Sequence, residues 1–379
     1  MSDELLLTGA TGFVGMELLA RYLERTDRRI VTLVRAPSDT RAQERIDGTL
    51  HNLFGVVGAR RYRGRVQAVA SELTAPGLGL AQRRRDELAA RVQTVIHSAA
   101  SVSFTLPLPE ARAINVGGTR ELLDFAELAC ASGNGLDRYA HVSTAYVAGT
   151  HAGRFGECDL NRGQCFHNSY EQSKFEAEQL VRSREGLPFT ILRPSIVVGD
   201  RRSGWTAAFN VLYWPLRAFA RGLFTAVPAI PSAPVDVVSI DYVADAIHAL
   251  VDGPAGIGET YNLTAGANAS TMGEIAGLAS RYFRRPLPRV LPPAEFAAMA
   301  GSCSSAERSA LEGGSVYFPY FAINAVFDES QARARLEPAG IRVSPLADYL
   351  ERLLDFATRC RWGKRPITRV DAFAAGLAA

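Results

Sequence analysis

Apolar positions in the first half of the chain follow two rhythms in turn. Residues 5–8 form a short apolar run suited to a strand covered on both faces, and residues 13–23 then carry apolar side chains at helical spacing. Residues 30–34 make a second such run, so the chain opens with one βαβ unit. Further short β-rich runs stand at 66–70, 94–97, 139–143 and 189–192, alternating with helical stretches such as 121–130 and 171–182. This alternation predicts an α/β fold: a doubly wound parallel (Rossmann) sheet with a ligand at the carboxyl ends of its strands.

The rhythm changes after Gly199-Asp200. Residues 203–231 are aromatic and apolar, interrupted by Arg217 and Arg221. Three readings fit: a lobe-packing helix pair, the wall or lid of an acyl tunnel, or a helix lying in a membrane surface. The longest apolar run, 204–216, falls short of the roughly twenty residues that span a bilayer, so no transmembrane segment is expected. Residues 235–239 read as a strand returning to the sheet, followed by a helix over 241–250 capped by Ser239 or Asp241. From 256 on, helical patterns at 272–282 and 346–360 alternate with proline-rich turns. The expected division is a nucleotide-binding Rossmann domain from residues 1–202 and 235–255. Residues 203–234 and 256–379 then make a smaller, discontinuous, mainly helical substrate lobe.

Composition narrows the function classes. The net charge of +3 over 379 residues gives no reason to expect nucleic acid as the main partner. Arg60, Arg61, Arg63 and Arg65 form one cluster and Arg83, Arg84 and Arg85 another, each a solvated face or a docking patch for an acidic partner. The cysteines Cys130, Cys158, Cys165, Cys303 and Cys360 suggest no disulfide framework. Cys158, Cys165 and His167 match no familiar zinc spacing, so no metal is expected. With the first strand starting at Glu4 or Leu5 there is no room for a signal peptide, and the chain reads as cytoplasmic. Monomer and homodimer are both compatible with it.

Gly9, Gly12 and Gly15 stand at the first strand-to-helix turn, spaced Gly-x-x-Gly-x-x-Gly. Glycine there permits a tight turn, close approach to a pyrophosphate and helix-on-strand packing, while the helix start offers free N–H groups. Thr8, Thr11, Phe13 and Val14 complete that expected cofactor segment. The second strand ends in Arg35, with Arg41 and Arg45 beyond, where an NAD enzyme would place an acid for the ribose hydroxyl. Guanidinium groups suit a 2′-phosphate, so the expected cofactor is NADPH.

The residues that follow the later strands carry the candidate chemistry. Ser98, Ala99 and Ala100 are small enough to lie against a flat cofactor, and Pro194, Ser195 and Val197 follow the sixth strand. Thr144 ends the fifth. Tyr170 and Lys174 open the next helix on one face, and Lys174 and Lys364 are the only lysines in the chain. Hydride transfer to a carbonyl leaves an oxyanion to be stabilised and protonated. Tyr170 supplies the proton, the Lys174 charge lowers the phenol's pKa and holds the nicotinamide ribose, and Thr144 orients the carbonyl oxygen. Ser101, Val102, Tyr146, Trp205 and Phe209 are the expected substrate-side residues.

These segments resemble the extended short-chain dehydrogenase/reductases. The resemblance lies in TGATGFVG, the Asn115-Val116-x-Gly118-Thr119 segment, YEQSK and the ILRPS strand end. A closer likeness, over residues 4–250, is to thioester reductase domains of peptide and polyketide synthases and to fatty acyl-CoA reductases. It rests on LVRA with Arg45 beyond, PGLGL, VIHSAASVSF, HVSTAYVAG and LRPSIVVGD. The resemblance implies NADPH-dependent reduction of an acyl thioester, carried on CoA or a separate carrier protein, to an aldehyde or onward to an alcohol. It adds Asn115, Glu72 and Leu73 to the cofactor site, although Ser71-Glu72-Leu73 replaces the usual Gly-Asp-Leu. Nucleotide-sugar epimerases or dehydratases and hydroxysteroid dehydrogenases share the fold and triad. An NADP-sensing binding protein is the non-enzymatic alternative.

Overall fold

The computed structural model describes residues 4–133, 135–209, 211–223, 225–253, 256–299 and 311–376; Cys303 and, in the aromatic stretch, Asn210 and Phe224 lie outside them. Among the described residues seven parallel strands form the main sheet: β1 (Glu4–Thr8), β2 (Arg29–Val34), β3 (Val66–Ala70), β4 (Val92–His97), β5 (Arg138–Val142), β6 (Phe189–Pro194) and β7 (Glu259–Leu263). Their order is β7-β6-β5-β4-β1-β2-β3. The order turns back between β1 and β4, which opens a crevice at the strand ends beside the glycine turn.

Helices cover both faces. On one side lie α1 (Phe13–Arg25), α2 (Asp39–Arg63) and, reached much later in the chain, α6 (Ile240–Asp252). On the other lie α3 (Gln82–Ala89), α4 (Gly118–Cys130) and α5 (Ser169–Arg182). Each layer closes over its own apolar cluster, and Leu5, Leu6 and Leu7 are wholly buried between the two. This two-sided burial is why the strands read as unbroken apolar runs.

The smaller lobe holds the helix Tyr213–Ala220, α7 (Met272–Phe283) and α8 (Leu350–Arg359). Thr271 and Glu274 close a capping box at the start of α7. Leu212, Tyr213, Leu216 and Phe219 of the aromatic stretch are buried in the core of this lobe, while Trp205 is buried in the core on the sheet side. Among the described residues no helix is long and apolar enough to cross a membrane.

Two boundaries differ from the sequence expectation. The strand that rejoins the main sheet is β7, pairing in parallel with β6, whereas residues 235–239 do not join it. Val237–Ser239 pairs with Ile196–Val198 in a separate ribbon, and Pro234–Val235 pairs with Ser270–Thr271. Asp236 breaks the run between them because its two carboxylate oxygens accept the Ala265 and Gly266 N–H groups at 2.8 and 2.9 Å. At the end of the chain, the helix Arg369–Gly376 docks on α2, and Arg369 pairs with Glu17 and Glu24 of α1. Those residues therefore pack on the sheet domain.

Candidate active site

The glycine turn is built to be narrow. Gly9 has a φ of +74°, and a Cβ there would lie 2.8 Å from the Ala99 nitrogen on the neighbouring loop. A Cβ on Gly15 would come within 2.1 Å of the Gly9 carbonyl oxygen. Gly12 begins α1 with no side-chain cap, which leaves the first-turn N–H groups for a phosphate. The residues present therefore fit a dinucleotide pyrophosphate. Thr8 lies beneath this surface: its hydroxyl accepts from the Ser98 and Ala99 N–H groups and bonds His97 Nδ1 at 2.8 Å.

Arg45 spans the two elements that would flank an adenosine ribose. Its guanidinium donates to the Arg35 carbonyl at 2.6 Å and to Thr11 Oγ1 at 3.4 Å. Arg41 is turned away into an exposed pair with Glu44. Glu72 folds back on the hydroxyl of Thr74 at 2.9 Å, and Leu73 packs against Gly118 at the start of α4.

Across the crevice, Asn168 caps α5 by accepting the Glu171 N–H at 3.0 Å. That start point puts Tyr170 in the first turn and Lys174 one turn on. Thr144 follows β5, and its hydroxyl accepts the Tyr146 N–H at 3.2 Å. Burial pushes the Tyr170 phenol up to about 12; a hydrogen bond with Thr144 opposes this and the Glu171 carboxylate adds to it. Thr144 and Tyr170 are thus brought together as expected. The expected lowering by Lys174 is not what this arrangement gives: the Lys174 ammonium donates to the Val142 carbonyl at 2.8 Å and sits 3.4 Å from His141 Nε2. Burial brings Lys174 down to about 8, with Glu178 acting the other way.

The crevice is supported by Asn115, which the sequence reading placed at the cofactor, and by a buried ion pair that it did not mark. Asn115 clamps the crevice wall: its side chain accepts from Ser101 N–H at 2.8 Å and donates to the Ser101 carbonyl and to Ser173 Oγ. A π-turn over Ala113–Gly117 aims it there. Glu178 and Arg193 form a fully buried pair at 2.6 Å, and Ser143 Oγ also donates to Glu178. Burial alone would raise Glu178, but Arg193, Arg182 and Ser143 together take it below its ordinary value. This pair ties β6 to α5 under the triad. Its only sequence signal was a charged residue inside the apolar ILRPS strand.

The substrate side is aromatic. Phe104 lies 5.7 Å from the Tyr170 ring and stacks on Tyr320 at 5.1 Å, while Tyr146 meets Tyr320 edge-on at 4.8 Å. Tyr317 adds a further edge contact to Phe104 at 5.7 Å. Of the residues expected on the substrate side, Tyr146 stands in this aromatic cluster, Ser101 is held by Asn115, and Val102 is largely exposed. Trp205 and Phe209 pack elsewhere. Trp205 is 1% exposed, donates its indole N–H to the Ile367 carbonyl and lies 5.8 Å from Phe13. Phe209 packs on Tyr213 and Phe356. Pro194 offers its carbonyl to Thr144 Oγ1 at 3.4 Å, Ser195 is buried beside it, and Val197 packs into the sheet-side core.

With this geometry in place, comparison with known proteins is specific. The family described as Male sterility protein matches residues 7–247. The chain belongs to that family. The isonitrile lipopeptide synthase of Streptomyces coeruleorubidus is 36% identical over 220 residues, covering 57% of this chain and 14% of that protein. Fatty acyl-CoA reductase wat of Drosophila melanogaster is 30% identical over 241 residues, covering 55% of this chain and 46% of its own length. The chain thus spans less than half of either relative. Among solved structures, the terminal R domain from the myxalamid PKS-NRPS biosynthetic pathway superposes with a TM-score of 0.83 at 28% identity, covering 97% of this chain and 93% of that one. As a member of this family the chain has an NAD(P)-binding domain of the extended short-chain dehydrogenase/reductase type.

Proposed function

We propose that this protein reduces an acyl thioester, presented on CoA or on a separate carrier protein, to an aldehyde with NADPH as reductant. The observation that carries this reading is the convergence of Thr144 and Tyr170 on one point of the crevice, under an aromatic wall made by Phe104, Tyr146 and Tyr320. The likeness to an R domain and to a fatty acyl-CoA reductase supports the substrate class.

The cofactor, when bound, supplies a hydride. Residues of the glycine turn and the start of α1 hold its pyrophosphate, and Arg35 and Arg45 hold a 2′-phosphate. Thr144 and Tyr170 donate hydrogen bonds to the thioester oxygen and stabilise the charge that develops there as the tetrahedral hemithioacetal forms. Tyr170 gives that oxygen its proton. Lys174 orients the nicotinamide ribose. Collapse breaks the C–S bond, releases the thiol and leaves the aldehyde; a second round on the same group would give the alcohol. The aromatic wall keeps water from the reacting carbonyl and offers apolar surface to the acyl chain.

The test is NADPH oxidation with a panel of medium- to long-chain acyl-CoA and acyl-carrier thioesters, with aldehyde and alcohol analysis. The expected result is aldehyde formation. In Tyr170→Phe, turnover falls by about 10²- to 10⁴-fold with NADPH binding retained. Turnover of a nucleotide sugar or a sterol, with no thioester accepted, would sink the proposal.

A further inference from the structure

Lys174 is held in an unusual way for a buried cation. Among the described contacts its ammonium meets a carbonyl oxygen, that of Val142, and an imidazole, that of His141, but no carboxylate. Glu178, the acid acting on it one turn along α5, already accepts from Arg193, Arg182 and Ser143. The charge of Lys174 is therefore oriented but left largely uncancelled.

The two histidines behind it have distinct roles that their hydrogen bonds define. Thr119 Oγ1 donates to the Asn115 carbonyl at 2.6 Å, so it accepts from His97 Nε2–H at 3.1 Å. Thr8 Oγ1 accepts two backbone N–H groups and donates to His97 Nδ1. His97 is thus a neutral ring with both nitrogens occupied, and burial together with the Lys174 charge keeps its pKa down to about 3. His141 is its registered partner on β5, with ring centroids 5.5 Å apart. His141 Nδ1 is buried with no hydrogen-bond partner among the described residues, and Nε2 faces Lys174. Nε2 is then the acceptor and the proton rests on Nδ1. A histidine placed for packing alone would not leave one nitrogen unmatched and turn the other on an ammonium.

We propose that His141 is the positioning residue for Lys174, a neutral acceptor that fixes the ammonium beneath the turn bearing Tyr170 without cancelling its charge. A carboxylate at this position would hold the ammonium more tightly but quench the charge it presents to the cofactor ribose. An aliphatic residue would leave the ammonium to one carbonyl. The titratable and charged groups around Lys174 are Tyr170 and Glu178 on α5, His141 on β5, His97 on β4 and Arg193 on β6, the last engaged with Glu178. The inference rests on the proposed function only in that Lys174 serves the cofactor.

The chain's two lysines make a direct test available. In protein labelled with ¹³C-lysine, the Cε signals of Lys174 and the exposed Lys364 are the whole spectrum. Wild-type Lys174 is expected to titrate at about 8. His141→Leu lowers that midpoint and His141→Asp raises it, each by on the order of one pH unit, while His141→Gln, which keeps an acceptor, stays near wild type. NADP⁺ affinity measured against pH follows the same midpoints. Identical Lys174 midpoints in the Leu and Asp variants would overturn the inference, and if the Leu variant does not fold, the Asp and Gln variants still decide it. Lys174→Met separates the two levels: unchanged NADP⁺ affinity in that variant overturns the role given to Lys174 under the proposed function, whatever the His141 variants do.

Discussion

Lys174 illustrates how one buried group ties activity to stability with opposite signs. Its folded pKa of about 8 lies below its ordinary 10.5, so the ammonium is present below pH 8 and lost as pH rises through it. Turnover that needs this charge is expected to fall along a descending limb near pH 8 in kcat/KM. Stability responds the other way. Between pH 8 and 10.5 the unfolded chain binds a proton at this site that the folded chain does not, so this residue's contribution to stability rises with pH across that window. Urea midpoints of wild type against Lys174→Met at several pH values check this: the gap should move in favour of wild type as pH rises. A pH-independent gap, with no alkaline limb in kcat/KM, would mean that Lys174 keeps its ordinary pKa.

At the scale of elements, turns and caps rather than the strands themselves do the positioning. The Gly9 turn brings α1 against the loop after β4, the Asn168 cap sets where α5 begins, and the π-turn at Asn115 clamps Ser101 to Ser173. Asp236 does the same where the chain leaves β7. Its oxygens each accept a backbone N–H, and burial nonetheless raises it to about 6. Asp236→Asn replaces one acceptor by a donor facing an N–H group. It is expected to cost about 1–3 kcal/mol in urea unfolding, with the NADPH dissociation constant unchanged because the glycine turn lies elsewhere. Loss of NADPH affinity matching the loss of stability would mean that this joint also shapes the nucleotide end.

For the whole molecule, the site is assembled from distant parts of the chain. Tyr320 reaches Tyr146 and Phe104 from the far C-terminal portion, and Asn168 donates to its hydroxyl at 2.9 Å. The arginine clusters that read as docking patches are partly occupied within the fold. Arg65 holds the carbonyls of Leu23, Thr26 and Arg28, while Arg63, Arg83 and Arg84 pair with Asp47, Glu87 and Asp39. Arg45 is different, since it bridges Arg35, just after β2, and Thr11 of the glycine turn, where we propose a 2′-phosphate binds. Arg45→Ala is expected to weaken NADPH about 10- to 100-fold, the worth of a charge-assisted contact, with NADH little changed. Equal losses for both cofactors would assign Arg45 to the turn alone.

The sequence by itself determined six strands of the sheet and the glycine turn, and singled out Thr144, Tyr170 and Lys174 as candidates, because each is written in local periodicity or short spacing. A strand buried on both faces must be apolar throughout, and the turn has no room for a Cβ at Gly9 or Gly15. Edge strand β7, ETYNL, escaped because an edge needs no unbroken apolar run. Tertiary structure alone decided that Trp205 packs on Phe13 in the core, that Tyr320 lines the site, and that Lys174 faces His141. Those contacts join residues far apart in the chain, and local spacing carries no record of which distant side chain will fill a given space.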